Sequence, residues 1–155
     1  MENSIVLIAD DDKEIVKLIA ETLEDEGFKV MKTYNGTGVI DVIQKKEKVD
    51  LILLDIMMPE MDGIEVCKKI RDTFSGPIIF LSAKGREIDK VIGLELGADD
   101  YLTKPFSTIE LISRVKAHIR RERRLKNLSA NTPVLSFEGL KICLDSFEVW
   151  KDGKK

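Results

Sequence analysis

The stretch VDLILLDIMMPEMDG, residues 49–63, decides the fold. Residues 50–54, DLILL, form a nearly continuous apolar run that ends in Asp55, and a turn sequence with Pro59 and Gly63 follows. A run apolar on every residue, rather than on alternate ones, suits a strand buried on both faces, as in a parallel sheet covered by helices. Working outward, Ile5–Ala9 and residues 77–81 repeat this composition. Lys29–Thr33 and residues 100–103 are shorter and more mixed, the character of edge strands.

Between these runs lie segments with helical spacing. Ile15, Leu18, Ile19 and Leu23 make a first stripe, and Val39, Val42 and Ile43 a second. Ile64, Cys67, Ile70 and Phe74 make a third, Val91 and Leu94 belong to a fourth, and Leu111, Ile112, Val115 and Ile119 make a fifth. Gly27 and Gly97 stand where helix ends favour a left-handed residue, and Ser107-Thr108-Ile109-Glu110 matches a capping box. Strict strand–helix alternation predicts an α/β fold: a doubly wound, five-stranded parallel sheet with helices on both faces. Ligands in such sheets bind outside the carboxyl ends of the strands.

Composition limits the function classes. With 155 residues, 43% hydrophobic and 34% charged, the chain can bury a core of its own. A formal net charge of −3 argues against a general nucleic-acid binder. Cys67 and Cys143 are too far apart for a zinc motif and too few for a disulfide framework. The N-terminus lacks the basic start and long apolar stretch of a signal peptide, and no apolar run approaches the ~20 residues that span a bilayer. These features predict a cytoplasmic protein with no membrane partner.

The strand ends carry the chemistry. Asp10, Asp11 and Asp12 follow the first strand, Asp55 the third, Ser82 the fourth, and Lys104-Pro105 the fifth. Each has an ordinary structural use: the three acids can cap a helix and complement its dipole, Asp55 can be a loop residue, Ser82 a cap, and Lys104 a solvated charge. Their joint placement points to one pocket. Clustered carboxylates repel unless a cation sits among them, and an oxygen-only donor set suits Mg²⁺. An aspartate can act as a nucleophile and carry an acyl phosphate, while a lysine neutralises charge on the transferring phosphoryl group.

The segments IVLIADDD, VDLILLDIMMPEMDG, PIIFLSAK and GADDYLTKPFS resemble the signature blocks of receiver domains of response regulators, over residues 1 to about 122. The resemblance implies a flavodoxin-like fold in which Asp55 is the phosphoacceptor and Asp10, Asp11, Asp55 and the Met57 carbonyl bind Mg²⁺. It further implies that Ser82 and Lys104 contact the phosphoryl group, that Tyr101 is the aromatic switch residue, and that Pro105 follows a cis peptide bond. Ser82 stands where relatives commonly carry threonine, and Asp12 reads as the cap of the first helix rather than a ligand. A sensor histidine kinase is the implied partner, and the protein is not an enzyme beyond its own phosphorylation and dephosphorylation.

The charged residues near the last helix are similar to those of the OmpR/PhoB-type subfamily. That similarity implies a two-fold homodimer with the pairs Lys90–Glu110, Glu95–Lys116, Asp100–Arg114 and Asp99–Arg121. Residues 134–155, VLSFEGLKICLDSFEVWKDGKK, form a short C-terminal β segment resembling the opening strands of a winged-helix DNA-binding domain, joined through a linker at 123–133. About twenty residues cannot bury a core alone. DNA is therefore expected to be read only through further residues, and Trp150 is expected to pack within the partial strand layer. The basic run 120–126 reads chiefly as a helix end. A stand-alone receiver acting by protein contacts is one alternative. A haloacid-dehalogenase-type phosphatase, using the D-x-D of Asp10 and Asp12, is another. It leaves Asp55 unexplained, and no cap domain fits this length.

Overall fold

A computed structural model describes residues 3–83, 95, 97–131, 142–143 and 148–149. Five parallel strands, β1 (Ile5–Ala9), β2 (Lys29–Thr33), β3 (Leu51–Asp55), β4 (Ile78–Ala83) and β5 (Asp100–Lys104), form one sheet in the order β2-β1-β3-β4-β5. The described helices are α1 (Lys13–Asp25), α2 (Gly36–Gln44), α3 (Gly63–Ile70) and α4 (Thr108–Asn131). The expected α/β parallel sheet is present, and the two mixed runs are its edges. β3 lies one residue later than the apolar run suggests, so Asp55 is its last residue, hydrogen-bonded into the sheet rather than in a loop.

Alternation along each strand divides the core into two layers. Leu7, Ala9, Ile52, Leu54, Ile78, Phe80 and Tyr101 pack with α2 and α3 on one face. Val6, Ile8, Leu51, Leu53, Ile79, Leu81 and Leu102 pack with α1 and α4 on the other. This double covering is why β3 is buried at every residue.

The first helix corrects the expected stripe. Val16, Ile19, Ala20 and Leu23 are buried, whereas Leu18 is 47% exposed. Ala20 lets the helix approach the sheet closely and turns the row by about one residue from the larger side chains. Gly27 and Gly97 do adopt positive φ, at 96° and 97°. Ser107 Oγ accepts from the Glu110 N–H at 2.9 Å, the forward half of the capping box.

The chain divides into two compact units, Met1–Ile119 and Arg120–Lys155. In the second, β6 (Ile142–Cys143) and β7 (Glu148–Val149) pair antiparallel, Ile142 with Val149 and Cys143 with Glu148. The expected helix containing Val91 and Leu94, the rest of the β segment expected at 134–155, and Trp150 lie outside the described residues. Among the described residues, no helix is long and apolar enough to cross a membrane.

Candidate functional site

The strand order reverses between β1 and β3, because β2 lies on one side of β1 and β3 on the other. The crevice at a reversal, outside the carboxyl ends, is the natural binding place of such a sheet. Asp10 follows β1, and its side chain is fully buried. Asp55 ends β3 and is 3% exposed. Asp11 is exposed beside them. One carboxylate oxygen from each of Asp10, Asp11 and Asp55 falls within a 4.8 Å group that can hold a metal ion.

Local hydrogen bonds set these side chains apart from each other. Asp10 Oδ1 accepts from the Asp12 N–H at 2.9 Å, which fixes the buried carboxylate. Asp12 turns the other way and caps α1, accepting from the N–H groups of Glu14 and Ile15. Asp55 Oδ1 accepts weakly from the Met57 N–H at 3.4 Å, and the Met57 side chain is half exposed.

Lys104 reaches in from the end of β5. Its Nζ lies 2.8 Å from Asp10 Oδ2 and 3.3 Å from Asp55 Oδ1. The Lys104–Pro105 peptide bond is cis. Burial and the neighbouring Asp10 charge push the Asp55 carboxyl up to about 7, against the opposing pull of Lys104. Burial pushes the Lys104 ammonium down, but the Asp10 and Asp55 carboxylates outweigh it and raise it above its ordinary value. Among the described residues, one cation thus serves two buried acids, which leaves them with a net negative charge.

The fourth strand end completes the rim. Leu81 pairs in register with Asp55, and Ser82 follows it, opposite Thr103. Ser82 is 4% exposed, and its Oγ donates to the Ala83 carbonyl at 3.3 Å. Tyr101, on β5, is buried with its ring 6.0 Å from Phe80 at 60°. Gly63 has a role beyond the turn it closes. A Cβ there would stand 2.3 Å from the Asp55 carbonyl oxygen, and its N–H donates to Ile56 at 2.8 Å. The glycine closing MMPEMDG was the available signal.

The charged residues assigned to a dimer are largely engaged within one molecule. Arg114 binds Asp100 at 2.6 Å and Glu110 at 3.2 Å. His118 Nε2 lies 2.9 Å from the second oxygen of Asp100. Burial pushes Asp100 up, but hydrogen bonds from His118, the Tyr101 N–H and Arg114 outweigh this and hold its carboxyl below the usual range. Asp99 accepts from the Ile78 N–H at 2.9 Å and lies 3.9 Å from Arg71. Lys116 binds Glu26 at 2.6 Å. Glu95 and Arg121 are exposed, and Lys90 lies outside the described residues.

A protein-family model described as the response regulator receiver domain matches residues 6–116. Among solved structures, the Francisella response regulator 1452 receiver domain is 40% identical, with 77% of this chain and 99% of that chain covered and a TM-score of 0.72. A two-component response regulator from Clostridium difficile is 34% identical, with 77% and 98% covered and a TM-score of 0.73. The BeF3-activated N-terminal receiver domain of Klebsiella pneumoniae RstA is 32% identical, with 76% and 99% covered and a TM-score of 0.70.

Proposed function

The chain belongs to the response regulator receiver domain family and carries the receiver of a two-component response regulator, and on that premise we propose that Asp55 accepts a phosphoryl group from a sensor histidine kinase. The observation that carries this reading is the position of Lys104 Nζ between Asp10 and Asp55, beside a third carboxylate, at the crevice of the sheet. The all-oxygen donor set and the excess of negative charge fit a hard divalent cation. Asp10, Asp11 and Asp55, with the Met57 carbonyl, would hold Mg²⁺. Bound there, Mg²⁺ would supply positive charge against the equatorial phosphoryl oxygens.

The chain's own groups account for the transfer. A carboxylate oxygen of Asp55 attacks phosphorus, the new O–P bond forms, and the N–P bond of the donor phosphohistidine breaks, its electron pair returning to the imidazole. Lys104 holds negative charge on the phosphoryl group after Asp55 gives up its ion pair. Ser82, one residue beyond the level of Asp55, supplies a hydroxyl to a phosphoryl oxygen. Replacing the single carboxylate charge by a phosphoryl group that carries nearly two re-packs Ser82 and Tyr101 and biases a two-state element. The protein uses its own aspartate and turns over no separate substrate.

The finer reading is an OmpR/PhoB-type regulator in the cytoplasm. Phosphorylation favours a two-fold homodimer through Lys90, Glu95, Asp99, Asp100, Glu110, Arg114, Lys116 and Arg121. Transcriptional control would come through a winged-helix domain that begins in residues 134–155. The test is labelling with acetyl phosphate and Mg²⁺, together with ¹⁹F detection of bound beryllofluoride. Wild type takes up one group per chain and Asp55→Asn none. Equal labelling of the two proteins refutes the assignment.

A further inference from the structure

Lys116 is assigned above to a partner's Glu95, yet in one molecule it is already bound. Glu26 Oε1 lies 2.6 Å from its Nζ, across 90 positions of sequence. Both ends are rigidly presented. Glu26 is the C-cap of α1, where its N–H donates to Leu23. Gly27 then turns with φ 96°, and Phe28, 3% exposed, returns its N–H to the Leu23 carbonyl. Lys116 follows Val115, which is fully buried under α4. The pair therefore orders little beyond the two side chains, each about one-third exposed.

Its direction matters as much as its strength. At about 100° per residue, Lys116 lies roughly 200° around α4 from Arg114. Leu111, Val115 and Ile119 form the buried stripe between them. Arg114 and His118 lean to one flank and meet Asp100 on β5. Lys116 leans to the other flank and meets the end of α1. The contact with Glu26 thus holds its ammonium away from the flank where Arg114 and Asp100 lie.

We propose that Glu26 is an intramolecular competitor that withholds Lys116 from the interface with a second copy of this chain. The inference rests on the two-fold dimer reading given above. Association through Lys116 breaks one Glu26–Lys116 pair in each copy, two per dimer. Exposed ion pairs of this kind contribute roughly 0.2–1 kcal/mol each, so losing two weakens the dimer by roughly two- to thirtyfold.

The test is sedimentation equilibrium of the full chain with Mg²⁺ and beryllofluoride. Glu26→Gln is expected to tighten dimerisation by that factor. Glu26→Ala should do the same, and in a Lys116→Ala background neither change should matter. An unchanged or weaker dimer in both Glu26 variants overturns the competition. So does equal tightening in the Lys116→Ala background, which would mark a general charge effect. If wild type forms no dimer, the two-fold reading falls together with this one. If wild type dimerises and Arg114→Ala weakens it while Glu26→Gln does nothing, only the competition falls.

Discussion

Replacing Asp55 with asparagine should stabilise the metal-free protein, and by an amount that depends on pH in a defined way. Burial and the Asp10 charge displace the Asp55 carboxyl from 3.8 to about 7 in the folded chain. An acid whose folded value is raised favours folding in its protonated form. Its effect on stability is therefore absent as a penalty below about pH 4, where Asp55 is protonated both folded and unfolded. The penalty grows as pH rises from about 4 to 7, because the unfolded chain ionises first, and it is constant above pH 7. At ~1.36 kcal/mol per pH unit, the displacement corresponds to at most about 4 kcal/mol. Water entry and relaxation around a charged pair bring the expectation to about 2–4 kcal/mol. Asparagine keeps the shape of the side chain and removes the charge. Urea unfolding of both proteins in EDTA, at steps between pH 4.5 and 8.5, measures the difference. Asp55→Asn should lie within about 1 kcal/mol of wild type at pH 4.5 and exceed it by about 2–4 kcal/mol at pH 8. Added Mg²⁺ should narrow the gap at pH 8. A gap that does not change with pH, or a wild type more stable than the variant at pH 8 without metal, refutes the assignment of uncompensated charge to this pocket.

Three further outcomes follow from the same geometry. Gly63→Ala places a methyl group 2.3 Å from the Asp55 carbonyl, so it should destabilise the fold by about 1–3 kcal/mol in urea unfolding and slow acetyl phosphate labelling. Asp12→Ala removes the cap of α1 and should lower stability by about 1 kcal/mol, while labelling of Asp55 stays within about twofold of wild type because Asp12 turns away from the pocket. Lys104→Ala removes the ammonium bound to Asp10 and Asp55. Chemical denaturation should show a larger loss at pH 8 than at pH 5, and the carboxyl resonance of Asp55 should titrate above about 7.

What was legible in the sequence followed from how much of the environment a residue's own neighbours report. LILL, residues 51–54, announces burial on two faces because every position in it is apolar, and that fixes a covered parallel strand without tertiary information. Lys29–Thr33 announces an edge for the opposite reason, since its two lysines are exposed and Val30, Met31 and Thr33 are no more than half-buried. The stripe on α1 has two solutions in the sequence because two rows of apolar residues share Ile19 and Leu23. The larger residue, Leu18, marks one row; the closer packing, through Ala20, decides for the other. Gly63 could be seen as a turn residue, but its reason is a carbonyl eight positions earlier, which only the folded loop supplies.

The site and the charged flank differ in the same respect. Asp10, Asp55, Ser82 and Lys104 were readable because the topology of a parallel sheet sends every strand end to one side, so position in the chain already implies proximity. Asp100, Arg114, His118, Lys116 and Glu26 have no such rule. Opposite charges on two elements are equally consistent with pairs inside a molecule and pairs between molecules, and sequence spacing does not separate them. The folded chain resolves the nearer half of that ambiguity: Arg114 and His118 already share Asp100, and Lys116 already holds Glu26. Any association through these residues must therefore be an exchange of partners rather than a gain of new ones. Its free energy is a difference between similar terms, which is small. A surface balanced in this way can be tipped by a modest bias from within the domain, such as the added negative charge that phosphorylation of Asp55 would bring to the pocket.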